Sequence, residues 1–405
     1  MLESTFSNVP TELVEDIAGY LDDQDLLAFR FSCRKIDAQT VRIVGERFFS
    51  TLQTSLMDPD IQKLEQLSRG RFAKYVKTIR IQDDTEKIKT SLPTCGDKTQ
   101  DEQREHQIYE KMGLSSRIWP FDAVGDIDID KTGVAILQYI LGTCQLLPDE
   151  LIICDFNDRR GNSCSKHELC ATLARHIFLD SKLAIASLRI ERRRGSYRVE
   201  AVARLISEYQ GQDLGLTMLK KAKLRLACEE ESSYWIKHLL LHAPAVEELY
   251  LYMTCMCTAC ETNTALQSCK PSFQLKILHL DHMNVAEIPI FNLLSNSKNT
   301  LASLTLRDVK MYPDIEASNW TPLLEKIAKE YSKITRWKIQ LRLSRSGVID
   351  KIFFPGFGKD CLEEEDRGGL TILHDGEEGG AAFVRYNGPG AARALHTMAS
   401  YARPR

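Results

Sequence analysis

Two rhythms of apolar and polar positions run along the chain. Over residues 9 to about 55 the apolar side chains recur at the three-and-four spacing of helices. Leu13, Ile17, Tyr20 and Leu21 share one helical face, Pro10 stands where a first-turn proline is tolerated, and Glu12 lies near the positive helix end. The run Asp22-Asp23-Gln24-Asp25 stops this helix and offers capping carboxylates to a second one bearing Leu26, Leu27, Phe29, Arg30 and Phe31. A third helix is predicted through Val41, Val44, Phe48 and Phe49.

From about residue 56 the pattern becomes short apolar strands alternating with amphipathic helices. Strands are predicted at residues 78–81, 151–154, 187–190, 224–226, 248–251, 277–280, 303–306 and 338–341, most with a Leu-x-Leu-like core. Helical faces lie between them: Leu169, Leu173 and Ile177; Val199, Val202 and Ile206; Ile236, Leu239 and Leu240; Leu323, Leu324, Ile327 and Tyr331. The steps from Leu188 to Leu224, Leu249, Leu278 and Leu304 are roughly 36, 25, 29 and 26 residues, near the strand-plus-helix period of leucine-rich repeats but less regular.

These patterns define an α/β chain in three parts. A three-helix domain occupies residues 1–55, an irregular solenoid of short parallel strands and helices occupies 56–342, and a capping segment with tail occupies 343–405. A polar stretch at about 83–131 interrupts the solenoid and reads as a loop or partly disordered insertion. Beyond residue 343, short strands at 349–354, 370–373 and 382–386 and a helix from about Ala391 to Tyr401 close its open end.

Composition narrows the function classes. A chain of 405 residues, 43% of them hydrophobic, can bury a substantial core. With 53 basic against 56 acidic side chains and a formal charge of -3, there is no general excess of positive charge for a phosphate backbone, and nucleic acid is not expected as a partner. The first residues hold no apolar run of signal-peptide or membrane-span length, so a cytoplasmic or nuclear setting without membrane contact is expected. In that setting the twelve cysteines read as reduced thiols.

The segment Val9-Pro10-Thr11-Glu12-Leu13-Val14-Glu15-Asp16-Ile17, followed by Tyr20-Leu21, Asp25-Leu26-Leu27-Ala28-Phe29-Arg30 and Ser32-Cys33-Arg34-Lys35, resembles the F-box, above all that of fungal proteins joining it to irregular leucine-rich repeats. Val9 stands where the family usually has Leu, and Ile36 where an aromatic residue is common. The resemblance implies a substrate adaptor of a Skp-cullin-F-box ubiquitin ligase with no catalysis of its own. Val9, Pro10, Leu13, Ile17, Leu26, Leu27 and Phe31 would supply or support contact with a Skp-type adaptor, through it a cullin, while the repeats hold a protein target. A scaffold in a non-ligase complex and a zinc-containing enzyme are the alternative readings.

Three other groups bear on chemistry. Cys255, Cys257, Cys260 and Cys269, with His279 and His282 beyond, could supply zinc ligands, yet no second well-spaced pair accompanies them and no metal or other cofactor is expected. Arg192-Arg193-Arg194, after a predicted strand, is a candidate for gripping an acidic or phosphorylated target. Gly388-Pro389-Gly390 lacks the lysine and hydroxyl of a phosphate-binding loop and reads as a turn leading into a helix.

Overall fold

The computed structural model describes residues 9–54, 63–64, 66–81, 146, 148–154, 185–191, 215–226, 230–253, 261–311, 320–345, 348–351, 354, 357–374 and 381–402. The polar stretch at 83–131 and the helical faces at Leu169 to Ile177 and Val199 to Ile206 lie outside the described residues. The chain divides into two compact units, Met1–Asn157 and Asp158–Arg405.

The first unit opens with four helices: α1 (Thr11–Tyr20), α2 (Asp23–Phe31), α3 (Arg34–Gln39) and α4 (Val41–Phe48). Asp22 caps α2 as its sequence implies, its carboxylate accepting from the Asp25 amide at 2.8 Å. Four helices stand where three were expected because of α3, which is too short to show a repeat of apolar positions and buries only Ile36. The Cys33 thiol caps its start, and the Thr40 hydroxyl bonds back to the Ile36 carbonyl at 2.8 Å at the break before α4. Ala18, Leu26 and Val44 form the centre of the helical core, with Leu21, Phe29, Phe48, Phe49 and Phe72 against it. Three parallel strands follow, β1 (Thr51–Thr54), β2 (Thr78–Ile81) and β3 (Glu150–Cys154). β1 begins inside the span read as purely helical, since Thr-Leu-Gln-Thr carries little apolar alternation and buries only Thr54.

In the second unit β4 (Ser187–Glu191), β5 (Lys221–Leu226), β6 (Glu248–Met253), β7 (Ile277–Asp281), β9 (Ser303–Met311) and β10 (Arg336–Arg345) pair in parallel in that order, and the two-residue β8 (Asn284–Val285) pairs with the end of β9. All eight strands expected before residue 342 are present across the two units. The same arrangement starts each strand. A buried apolar residue (Ile185, Leu219, Val246, Leu275, Leu301 or Ile334) precedes by three positions the first buried strand residue (Leu188, Ala222, Leu249, Leu278, Leu304 or Trp337), and another buried residue follows two positions on.

The backbone repeats with equal regularity. The amides of Lys220 and Lys221 both donate to the Ala186 carbonyl, those of Glu247 and Glu248 to Lys220, of Lys276 and Ile277 to Glu247, of Ala302 and Ser303 to Lys276, and of Thr335 and Arg336 to Ala302, all at 2.7–3.1 Å. One carbonyl thus fixes the height at which the next strand begins. Within the first unit the amides of Lys77 and Thr78 meet the Ser50 carbonyl in the same way, and those of Asp149 and Glu150 meet Lys77. The helices α5 (Glu230–His242), α6 (Glu261–Ser268), α7 (Glu287–Leu294) and α8 (Trp320–Glu330) return the chain between strands. Each buries an apolar side, as with Ile236, Leu239 and Leu240 on α5 and Leu323, Leu324 and Ile327 on α8. Sequence periodicity misses α6, which is polar apart from Ala265 and Leu266, and α7, whose Pro289 sits in the first turn where the missing amide costs nothing.

The parallel run ends in antiparallel strands. β11 (Val348–Lys351) folds back on the end of β10, while β13 (Ala381–Asn387) pairs with its beginning and with β12 (Leu370–His374), before α9 (Ala391–Ala399). Trp337 ties these parts together: its ring stacks on Tyr386 at 5.8 Å and its Nε1 donates to the Ala391 carbonyl at 2.7 Å. The Gly388-Pro389-Gly390 turn does lead into α9, and the space at that helix start is filled by the buried carboxylate of Asp366, so close that a Cβ on Gly390 would overlap it. Asp366 accepts from Arg393 Nε at 2.8 Å and from the Tyr386 hydroxyl at 3.2 Å.

The Arg393 hydrogen bond is the main reason the Asp366 carboxyl titrates below its ordinary value; burial opposes it. Because the folded-state pKa lies below the unfolded one, this stabilisation is complete above the unfolded value and disappears as pH falls through the folded value. Asp366→Asn is therefore expected to lower stability at pH 7 by about 1–2 kcal/mol, a modest figure because Arg393 is half exposed, and the difference from the parent should shrink below about pH 4. Urea denaturation followed by tryptophan fluorescence measures both effects.

Candidate interaction surfaces

Helix α1 is apolar on two sides. Val14 and Ala18 face the core of the first unit, while Leu13 (54% exposed), Ile17 and Tyr20 (92%) face outward. On α2, Leu26 is fully buried, whereas Leu27 and Phe31 (77%) are exposed. Of the residues that the F-box resemblance singles out, Pro10, Leu13, Ile17, Leu27 and Phe31 are thus exposed and Val9 is half-buried. Leu26 is packed with Ala18 and Val44 and lies behind this face, the supporting position rather than the contacting one.

Polar bonds hold the helices that carry the face. Arg47 donates to the carbonyls of Leu21 at 2.7 Å and Gly19 at 3.2 Å, covering the end of α1 where backbone acceptors lack helical partners. The Gln39 amide reaches the Val9 carbonyl at 3.1 Å and fixes the approach to α1. Arg42 grips Glu15 through two bonds of 2.7 and 3.0 Å, joining α4 to α1. Behind Phe31, Asp37 takes both Arg30 and Arg71, the latter at 2.6 Å, and Arg71 is the first cause of its lowered pKa. Arg30 and Arg71 also lie over the Phe72 ring at 5.0 and 5.2 Å, and that ring stacks on Phe49 at 4.5 Å.

The second surface is the polar side of the sheet in the second unit. Strand residues alternating with the buried ones line up in register: Arg189, Lys223, Tyr250, His279, Thr305 and Lys338 form one row. Arg225, Tyr252, Asp281, Arg307 and Gln340 form the next. Lys223 lies over the Tyr250 ring at 5.0 Å and Arg225 over Tyr252 at 4.7 Å. The same tyrosines meet histidines, His279 with Tyr250 and His282 with Tyr252, at ring separations of 5.6 and 5.1 Å.

Charge changes character at β7. His282 Nδ1 meets Asp281 at 2.7 Å and its Nε2 lies 3.5 Å from Asp308, to which Gln340 donates at 3.0 Å; Arg307 and His279 each approach Asp281 to 3.6 Å. Burial pushes the Asp281 carboxyl up, but the bonds from His279 and His282 and the charge of Arg307 outweigh it and leave the pKa lowered. His282 and Asp308 both adopt left-handed backbone (φ 52°), Asp308 at a register shift between β9 and β10. Asp281, His282 and Asp308 lie close enough to share a cation, as do Glu363, Glu365 and Asp366. In both groups side chains of the chain itself already engage the carboxylates, Arg393 spanning all three of the latter.

Arg192-Arg193-Arg194 and the cysteines Cys255, Cys257 and Cys260 lie outside the described residues, and Cys269, half-buried after α6, approaches the Ser268 hydroxyl at 3.7 Å. The tyrosines and basic residues of β5 and β6 escape a search for motifs, although the alternation Lys-Ala-Lys-Leu-Arg-Leu and Glu-Leu-Tyr-Leu-Tyr-Met already assigns them to one face. Among the described residues no helix is long and apolar enough to cross a membrane. No family model matches the chain, and no curated protein matches it in sequence.

The burial difference on α1 and α2 has a direct consequence for stability. Leu13→Ser with Phe31→Ser should change the unfolding free energy of the isolated protein by less than about 0.5 kcal/mol per site, whereas Leu26→Ala should cost about 3 kcal/mol. Urea titrations of the variants compare the two.

Proposed function

We propose that the chain is the substrate-recognition subunit of a Skp-cullin-F-box ubiquitin ligase, a non-enzymatic adaptor whose α1 and α2 dock on a Skp-type protein and, through it, a cullin. The observation that carries this reading is the outward apolar set Leu13, Ile17, Tyr20, Leu27 and Phe31, falling within the F-box-like segment and backed by a buried Leu26. Water-exposed side chains of this size gain about 1.5–3 kcal/mol each on complete burial, which gives such a face a strong drive to pair with an apolar groove. The repeated strand starts support reading the rest as irregular leucine-rich repeats, whose polar sheet face holds a protein target. The chain's contribution to ubiquitin transfer is proximity: it keeps the target beside a charged enzyme that the cullin recruits.

Co-purification tests the docking. The intact chain should retain a Skp-type adaptor, and Leu13→Asp combined with Phe31→Asp should weaken retention by at least about 100-fold, given roughly 2 kcal/mol per buried anchor. Both positions are exposed, so the double variant keeps its fold; adaptor binding that survives the two charges refutes this docking mode. Recruitment of a cullin, followed by the half-life of the target, separates a ligase subunit from a scaffold.

A further inference from the structure

The sheet face of the second unit contains a cleft of about 280 Å³ lined by Arg189, Lys223, Arg225, Tyr250 and Tyr252, with Ile190 and Leu224 between them. That volume is below the size of sites for cofactors and drug-sized ligands, and it suits one or two side chains of a partner. Three of its residues are cationic, and no carboxylate lines it among the described residues. Arg225 Nε is buried without a hydrogen-bond partner, while its guanidinium carbon lies over the Tyr252 ring at 4.7 Å. A buried, unpaired guanidinium N–H is costly, so a shift of the side chain that brings it to an acceptor is favoured. A guanidinium offers two-pronged forks that fit a carboxylate.

We propose that this cleft receives a glutamate or aspartate of an acidic peptide segment, with Arg225 as the fork, Lys223 as the neighbouring cation and Tyr250 and Tyr252 as apolar walls for the flanking residue. The positive charge is local. In the second row Asp281 lies two strands beyond Arg225, roughly 10 Å away, with Asp308 beside it at the register shift of β9, so a continuous polyanion such as a nucleic acid strand would run from cations into carboxylates. A polypeptide whose acidic side chains are confined to a short cluster avoids that repulsion. This inference deepens the proposed target-holding role of the sheet; its test involves no adaptor protein, so its failure leaves the docking of α1 and α2 undecided by that result and open to its own test.

The experiment is fluorescence polarisation on the full chain with short labelled Gly/Ser/Leu peptides bearing a central Glu-Glu pair or, in its place, Gln-Gln, Lys-Lys or a single phosphoserine. The Glu-Glu peptide should bind about tenfold more tightly than the Gln-Gln peptide and lose that advantage as salt rises. Arg225→Glu should abolish the preference, and Lys223→Glu, at a half-exposed position, should do the same, so a folding defect in the first variant does not decide the matter. Equal binding of Glu-Glu and Gln-Gln peptides, binding confined to the phosphoserine peptide, displacement by a single-stranded oligonucleotide, or a preference that persists in both variants would each overturn the proposal.

Discussion

Apolar side chains must leave water, and the two units meet that constraint in different ways. In the second unit each strand places its alternate residues into a core closed by α5 to α8, and the antiparallel strands with α9 cover the last parallel strand. The helical half of the first unit is too small to enclose all of its apolar residues. Its core is filled by Ala18, Leu26, Val44 and a set of phenylalanines, and a second apolar layer remains on the solvent side. A unit of this size buries a smaller share of its surface than a large domain does. The outward layer on α1 and α2 is thus a physical consequence of two-sided helices, and under the proposed function it is where a second polypeptide adds to the core.

Backbone geometry makes the larger sheet possible. A carbonyl shared by two successive amides ties the start of each strand to its neighbour, and the buried residue three positions ahead holds the same height. Side chains are therefore brought into rows, so that residues distant in sequence, such as Lys223, Tyr250 and His279, become neighbours with a regular spacing. Along these rows the surface passes from arginine and lysine, through tyrosine, to a network of histidine and aspartate. The fold supplies the rows and the side chains on them supply any specificity.

Much of this architecture is legible in the sequence because strand cores with Leu-x-Leu alternation are strong signals. All eight expected strands in the central region, the three C-terminal strand regions and α9 are found. What escapes is short or chemically mixed: α3 with one buried residue, β1 with mostly polar positions, the two-residue β8, and α6 and α7. The two candidate surfaces are legible unevenly. Leu13, Ile17, Leu27 and Phe31 follow from the motif, but periodicity does not reveal that Leu26 turns inward while its neighbour turns outward. The cleft at Arg225 depends on register between strands, which no local pattern states.

The central claim, that the outward face of α1 and α2 is covered by a second polypeptide, is tested most directly by photo-crosslinking in cells. With a benzophenone amino acid at Leu13 and at Phe31, and controls at the exposed Met218 and Ile288 of the second unit, the first two positions should crosslink to a Skp-type adaptor and the controls should not. Crosslinks from Leu13 and Phe31 only to this chain itself, or equal adaptor crosslinking from the control positions, would contradict it.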